Sequence, residues 1–146
     1  MDASLAVMVL VGLVVVASVI GVVLQRTNGR LKTSRAPGGA AAGAADLHLL
    51  GAGVEPGDSA TIILFSTEFC ARCPATKWML DQLASTAPGV VVAEVDLTDR
   101  QDLARSYDVR QTPTVLVLDA DGKRVARIGG PPRRAELEAQ LLQLSS

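Results

Sequence analysis

Cys70 and Cys73 are the only thiols in the 146-residue chain, and two residues separate them in Cys70-Ala71-Arg72-Cys73. Two thiols at that spacing can exchange a dithiol for a disulfide with another molecule, hold a soft metal, or close a structural bridge. A bridge over so few residues stabilises little, because the chain entropy it removes from the unfolded state grows with loop length. A closed metal site needs two further ligands, and the single histidine, His48, lies before the folded part in a glycine-broken stretch and reads as a tether residue. Exchange therefore leads, with a thiolate-based binding module for a metal such as Cu(I) as the competing reading.

The position of the pair supports exchange. Thr61-Ile62-Ile63-Leu64-Phe65 is a continuous β-branched and apolar run, as expected of a strand covered on both faces, and it ends at Ser66 just before the cysteines. Beyond them Ala75, Met79, Leu83 and Ala87 recur every fourth position as one stripe of a helix expected over 71–87. Pro74 fits its first turn. A thiol at a helix N-terminus meets partial positive charge and free N–H groups, so Cys70 is expected to ionise below the free value of about 8.5 and act as the nucleophile. Cys73, one turn on and deeper, is then placed to resolve the mixed disulfide. Arg72 is either a further support for the thiolate or a solvated cation.

The elements that must hold this pair follow in alternation. Pro88-Gly89 ends the helix, and Val90–Val95 reads as a second strand, parallel to the first because a helix connects them. Thr98 and Gln101 fit a capping box, with Leu103, Ala104 and Tyr107 as the inner face of a short helix. Thr114–Leu118 is a third strand, Asp121-Gly122 a hairpin turn, Lys123–Ile128 an edge-like fourth strand, and Leu137, Leu141 and Leu144 mark a terminal helix. The expected class is α/β, a mixed four-stranded sheet flanked by helices.

Phe65-Ser66-Thr67-Glu68-Phe69-Cys70-Ala71-Arg72-Cys73 and Tyr107-Asp108-Val109-Arg110-Gln111-Thr112-Pro113-Thr114, with Pro113 lying 40 residues beyond Cys73, resemble the active-site and proline loops of the thioredoxin superfamily over about 60–144. The resemblance implies a thioredoxin-like fold, a cis Pro113 opposite the cysteines, and backbone pairing of Thr112 with an extended substrate segment. Gly129 matches a family glycine near the last helix. It implies protein disulfides or dithiols as partners, no cofactor beyond the redox-active Cys70–Cys73 disulfide, no metal, and a supply of electrons from a flavin-dependent reductase or a membrane dithiol relay.

Three positions depart from the family. Phe69 stands where the family has Trp, and Ala71-Arg72 replaces the usual Gly-Pro, so the reduction potential is open. The acid that assists the second cysteine aligns with Leu64, and its partner lysine with Glu94. Glu94 is read either as a substitute carboxylate supplied from the neighbouring strand or as a strand-end residue facing water. Trp78 is expected to pack, and Glu68 to be solvated.

Composition frames the rest. The net charge of -1, with both signs interspersed, excludes a basic surface for nucleic acid. Leu5–Leu24 is 20 consecutive uncharged residues, roughly 30 Å as a helix. Without a basic segment before it, the run reads as an uncleaved membrane anchor rather than a secretory signal. The expected organisation is a tail at 1–4, a transmembrane helix at 5–25, a basic then Gly/Ala/Pro-rich tether at 26–58, and a thioredoxin-like domain at 59–146. Arg26, Arg30, Lys32 and Arg35 follow the run, which orients a single-pass protein with its soluble domain in the cytoplasm, the extracytoplasmic side being the alternative.

Overall fold

The computed structural model describes residues 3–27, 53 and 55–144. The tether with His48 lies largely outside the described residues. The elements are α1 (Ala3–Thr27), β1 (Ala60–Ser66), α2 (Cys73–Thr86), β2 (Val90–Asp96), α3 (Gln101–Ser106), β3 (Thr114–Asp119), β4 (Arg124–Gly129) and α4 (Arg134–Leu144).

The strands form one sheet in the order β2-β1-β3-β4. β1 pairs in parallel with β2, Leu64 lying opposite Glu94, and antiparallel with β3, Leu64 lying opposite Val115. β3 and β4 close an antiparallel hairpin. Its turn is built on Asp119, whose Oδ1 accepts the N–H groups of Asp121 and Lys123, and on Gly122 at φ 74°.

β1 is central and buried on both faces, which is why its sequence shows no alternation. One face, with Ile62, Leu64, Val115 and Val117, packs on Leu80 and Leu83 of α2 and Leu137 and Leu141 of α4. The other, with Ile63, Phe65, Ala93 and Val95, is covered by Leu103 of α3 together with Leu97 and Tyr107. The Phe65 and Tyr107 rings meet at a centroid distance of 5.4 Å. Apolar burial of roughly 1.5–3 kcal/mol per large side chain holds β1 as the rigid strand from which the cysteine loop starts.

Two local expectations are corrected. The buried stripe of α2 is Cys73, Thr76, Leu80 and Leu83, with Met79 and Ala87 partly buried and Ala75 exposed. The expected fourfold repeat follows the helix edge, whereas the sheet receives the neighbouring row. The capping box at Thr98 does not form: α3 starts after Arg100 with no side-chain cap, and the Thr98 hydroxyl serves the cysteine loop instead.

α1 runs for 25 residues, and its described large apolar side chains between Val7 and Val23 are exposed. Among the described residues no helix is long and apolar enough to cross a membrane. The 20-residue run behind the membrane expectation includes Leu5, Ala6 and Leu24, whose side chains lie outside the described set.

Candidate active site

Cys70 follows β1 by four residues and Cys73 opens α2. They form a disulfide, S–S 2.06 Å with Cα atoms 5.4 Å apart. Two turns shape the segment: Cys70 N–H donates to the Thr67 carbonyl at 3.0 Å and Cys73 N–H to the Cys70 carbonyl at 3.1 Å. Pro74 lies in the first turn of α2, where its missing N–H costs no helical hydrogen bond. The Thr76 hydroxyl donates to the Arg72 carbonyl at 2.9 Å, tying that turn to the helix. The sulfurs are unequally accessible: Cys70 is half-buried, whereas Cys73 is 3% exposed.

The base of the loop is pinned to β2. Leu97 N–H donates to the Ser66 carbonyl, and Glu68 N–H donates to Thr98 Oγ1 at 3.0 Å. That hydroxyl in turn donates to Asp96 Oδ1, which also accepts the Thr98 N–H at 2.8 Å. These hydrogen bonds favour the charged carboxylate, so the Asp96 pKa is lowered.

The second loop carries the Thr112–Pro113 bond, which is cis, as the resemblance implied. Pro113 is buried, and the Thr112 hydroxyl approaches that of Thr67 at 3.4 Å, which brings this loop against the cysteine loop. Gly130, at φ 88°, donates its N–H to the Pro113 carbonyl at 2.8 Å. The expected glycine, Gly129, ends β4 opposite Thr114, and a Cβ there would meet the Gln111 side chain at 2.7 Å. The left-handed backbone that glycine favours thus falls one residue later.

Arg127 is a residue that sequence reasoning missed. Read as one charge on an edge strand, it turns back and donates to the carbonyls of Tyr107 at 2.8 Å and Asp108 at 2.6 Å, anchoring the approach to the proline loop. Partial burial of its guanidinium lowers its pKa. Asp108, at φ 49°, pairs with Arg110 at 2.9 Å, and that hydrogen bond lowers its carboxyl pKa. Nothing local in the sequence marks Arg127, because its acceptors are backbone carbonyls about 20 positions away.

The other expected site residues surround the pair. Ala71 and Arg72 are exposed on the loop. Phe69 is 83% exposed and Trp78 is 65% exposed. The packing expectation for Trp78 is therefore corrected: it lies off the buried row of α2. An open cleft of about 460 Å³ is lined by Ser66, Glu68, both cysteines, Trp78 and Glu94, with Lys77 and Asp81 on its α2 side. Glu94 is exposed, not enclosed by the valines and alanine around it in sequence, yet the cleft joins it to Cys73.

The family profile for thioredoxin matches residues 52–143. Thioredoxin of Pongo abelii is 30% identical over 88 residues, 60% of this chain and 82% of that protein. Thioredoxin of Methanocaldococcus jannaschii is 32% identical over 79 residues, 53% of this chain and 88% of that protein. Among solved structures, a mutant thioredoxin from Halobacterium salinarum shares the fold at TM-score 0.56 and 21% identity, covering 71% of this chain and 87% of that one. Chloroplastic thioredoxin z does so at TM-score 0.54 and 23% identity, over 60% and 80%. Because the profile spans both loops and the whole sheet, and relatives from a primate to an archaeon match over most of their length, this chain belongs to the thioredoxin family and is a thiol-disulfide oxidoreductase.

Proposed function

We propose that the protein acts as a reductase of protein disulfides, with Cys70 as attacking thiolate and Cys73 as resolving thiol. The observation that carries this reading is the unequal burial of two bonded sulfurs at the start of α2. Cys70 sulfur attacks one sulfur of a partner cystine, and the other leaves as a thiolate. Cys73 then loses its proton and attacks Cys70 sulfur, breaking the mixed disulfide and releasing the second partner thiolate. The partner gains two electrons, and the Cys70–Cys73 disulfide forms. Thr112 and Pro113 shape the docking edge beside Cys70, while Phe69, Ala71 and Arg72 tune its nucleophilicity. A flavin-dependent reductase or a membrane dithiol relay resupplies the electrons.

The checking experiment supplies the full chain with dithiothreitol and a protein disulfide. Catalytic reduction over many turnovers is expected; stoichiometric Cu(I) uptake without turnover would favour the binding module. The family matches favour exchange.

The anchor belongs to the same proposal: Leu5–Leu24 crosses the bilayer and the tether holds the oxidoreductase domain nearby, on the cytoplasmic side. Support comes from the uncharged run in the sequence, the exposed apolar side chains of α1, and Ser18, whose hydroxyl is satisfied within the helix by the Val14 carbonyl at 2.7 Å. In intact cells a membrane-impermeant maleimide is expected to label the reduced cysteines only after permeabilisation, in a fraction that resists alkaline washing. Labelling without permeabilisation would place the domain outside, and release by the wash would rule out the anchor.

A further inference from the structure

We propose that Glu94 accepts the proton that Cys73 must lose before it resolves the mixed disulfide, acting through water in the cleft between α2 and β2. The inference rests on Cys73 being the resolving thiol. At 3% exposure that thiol has little contact with bulk solvent, and burial in apolar surroundings opposes its ionisation. On the α2-covered side of β1, Leu64 is fully buried and offers no acceptor. The cleft, at about 460 Å³, is wide enough for several water molecules and is lined by both cysteines. A proton leaving Cys73 has this route.

The charged groups along it are Glu68, Lys77, Asp81 and Glu94, with Arg72 exposed on the loop and Asp96 two residues beyond Glu94, at the end of β2 beside the cysteine loop and opposite Ser66. Asp81 is occupied: Lys77 Nζ donates to both of its carboxylate oxygens, at 2.8 and 2.6 Å. Asp96 already accepts from the Thr98 N–H and hydroxyl, which weakens it as a base. Arg72 and Lys77 are cations and accept nothing. Glu68 and Glu94 remain, and neither enters an ion pair among the described residues.

Strand register separates these two. Glu94 is the β2 partner of Leu64 and shares the sheet face of Val90 and Val92, both packed in the cluster that contains Leu80 and Leu83 of α2. It therefore projects from the strand beside Leu64 on the side where α2 carries Cys73. Glu68 lies not on β2 but in the exposed loop ahead of Cys70. Proton transfer from Cys73 to Glu94 leaves a thiolate that attacks Cys70, and the released partner thiolate takes up a proton from solvent, so protons and electrons balance.

The test is single-turnover exchange of the reduced full chain with a protein disulfide between pH 5.5 and 9, following formation and decay of the mixed disulfide separately. Glu94→Gln keeps the shape of an exposed side chain. It is expected to slow decay roughly tenfold near pH 7 and move the pH midpoint of decay upward, leaving formation within about twofold. Glu68→Gln is expected to leave that midpoint in place. An unaltered decay profile in Glu94→Gln, or an equal shift in Glu68→Gln, overturns the assignment. A wild-type protein that forms no mixed disulfide overturns the roles of the cysteines themselves, and this inference with them.

Discussion

A Cys73→Ser variant is expected to halt with a partner protein covalently attached to Cys70, while Cys70→Ser forms no adduct and loses disulfide reduction by roughly a thousandfold or more. The asymmetry follows from accessibility. Cys70 is half-buried and reachable, whereas Cys73 is 3% exposed and little accessible to a partner protein. A serine oxygen at position 73 cannot displace the mixed disulfide, so the adduct persists until an external thiol removes it. Non-reducing electrophoresis of each variant after incubation with a cell extract, followed by release with dithiothreitol, reads the outcome. Equal trapping by both variants would contradict the assigned order of attack.

The second large effect is on stability. Leu64→Asp places a carboxylate at a position with no exposure in the central strand, and its cost at neutral pH is expected to be about 3–5 kcal/mol. Burial raises the folded-state pKa of such an acid above its unfolded value of about 3.9. Between those two values the folded protein binds more protons than the unfolded chain, so the variant loses stability relative to wild type as pH rises through the window. The slope is about 1.4 kcal/mol per pH unit, and part of the deficit is regained near pH 5. Urea unfolding of variant and wild type at pH 5 and 7 measures it. A deficit independent of pH would mean that the carboxylate is hydrated from the cleft.

The two experiments probe opposite sides of one design. An apolar β1 gives the loop a rigid base, and the cleft beside it carries charged side chains next to the cysteines. Glu94 became interpretable only through register. In the sequence it sits within a run of valine and alanine that suggests enclosure. In the sheet, β2 is an edge strand, and Glu94 on it is exposed.

Trp78 failed for a related reason. A tryptophan on an amphipathic helix is ordinarily a packing residue, and the fourfold repeat of Ala75, Met79 and Leu83 gave no sign of which edge of the stripe meets the sheet. Thr98 misled through a real ambiguity, since a hydroxyl three residues ahead of a glutamine can cap a helix or bond elsewhere. Here a backbone N–H of the cysteine loop, 30 positions away in sequence, competed successfully for it.

Local chemistry was legible in the sequence by itself: strands and helices in their order, a central strand recognisable from its unbroken apolar run, a dithiol at a strand-to-helix junction, and, through family resemblance, a proline loop facing it. Such features depend on neighbours within one or two turns, so the residue string contains their causes. Tertiary structure alone decided which sulfur is covered, that Arg127 holds the carbonyls of Tyr107 and Asp108, that the left-handed glycine is Gly130, and that Glu94 shares a cleft with Cys73. Those outcomes depend on strand order and helix rotation, which are set by the packing of residues far apart in the chain.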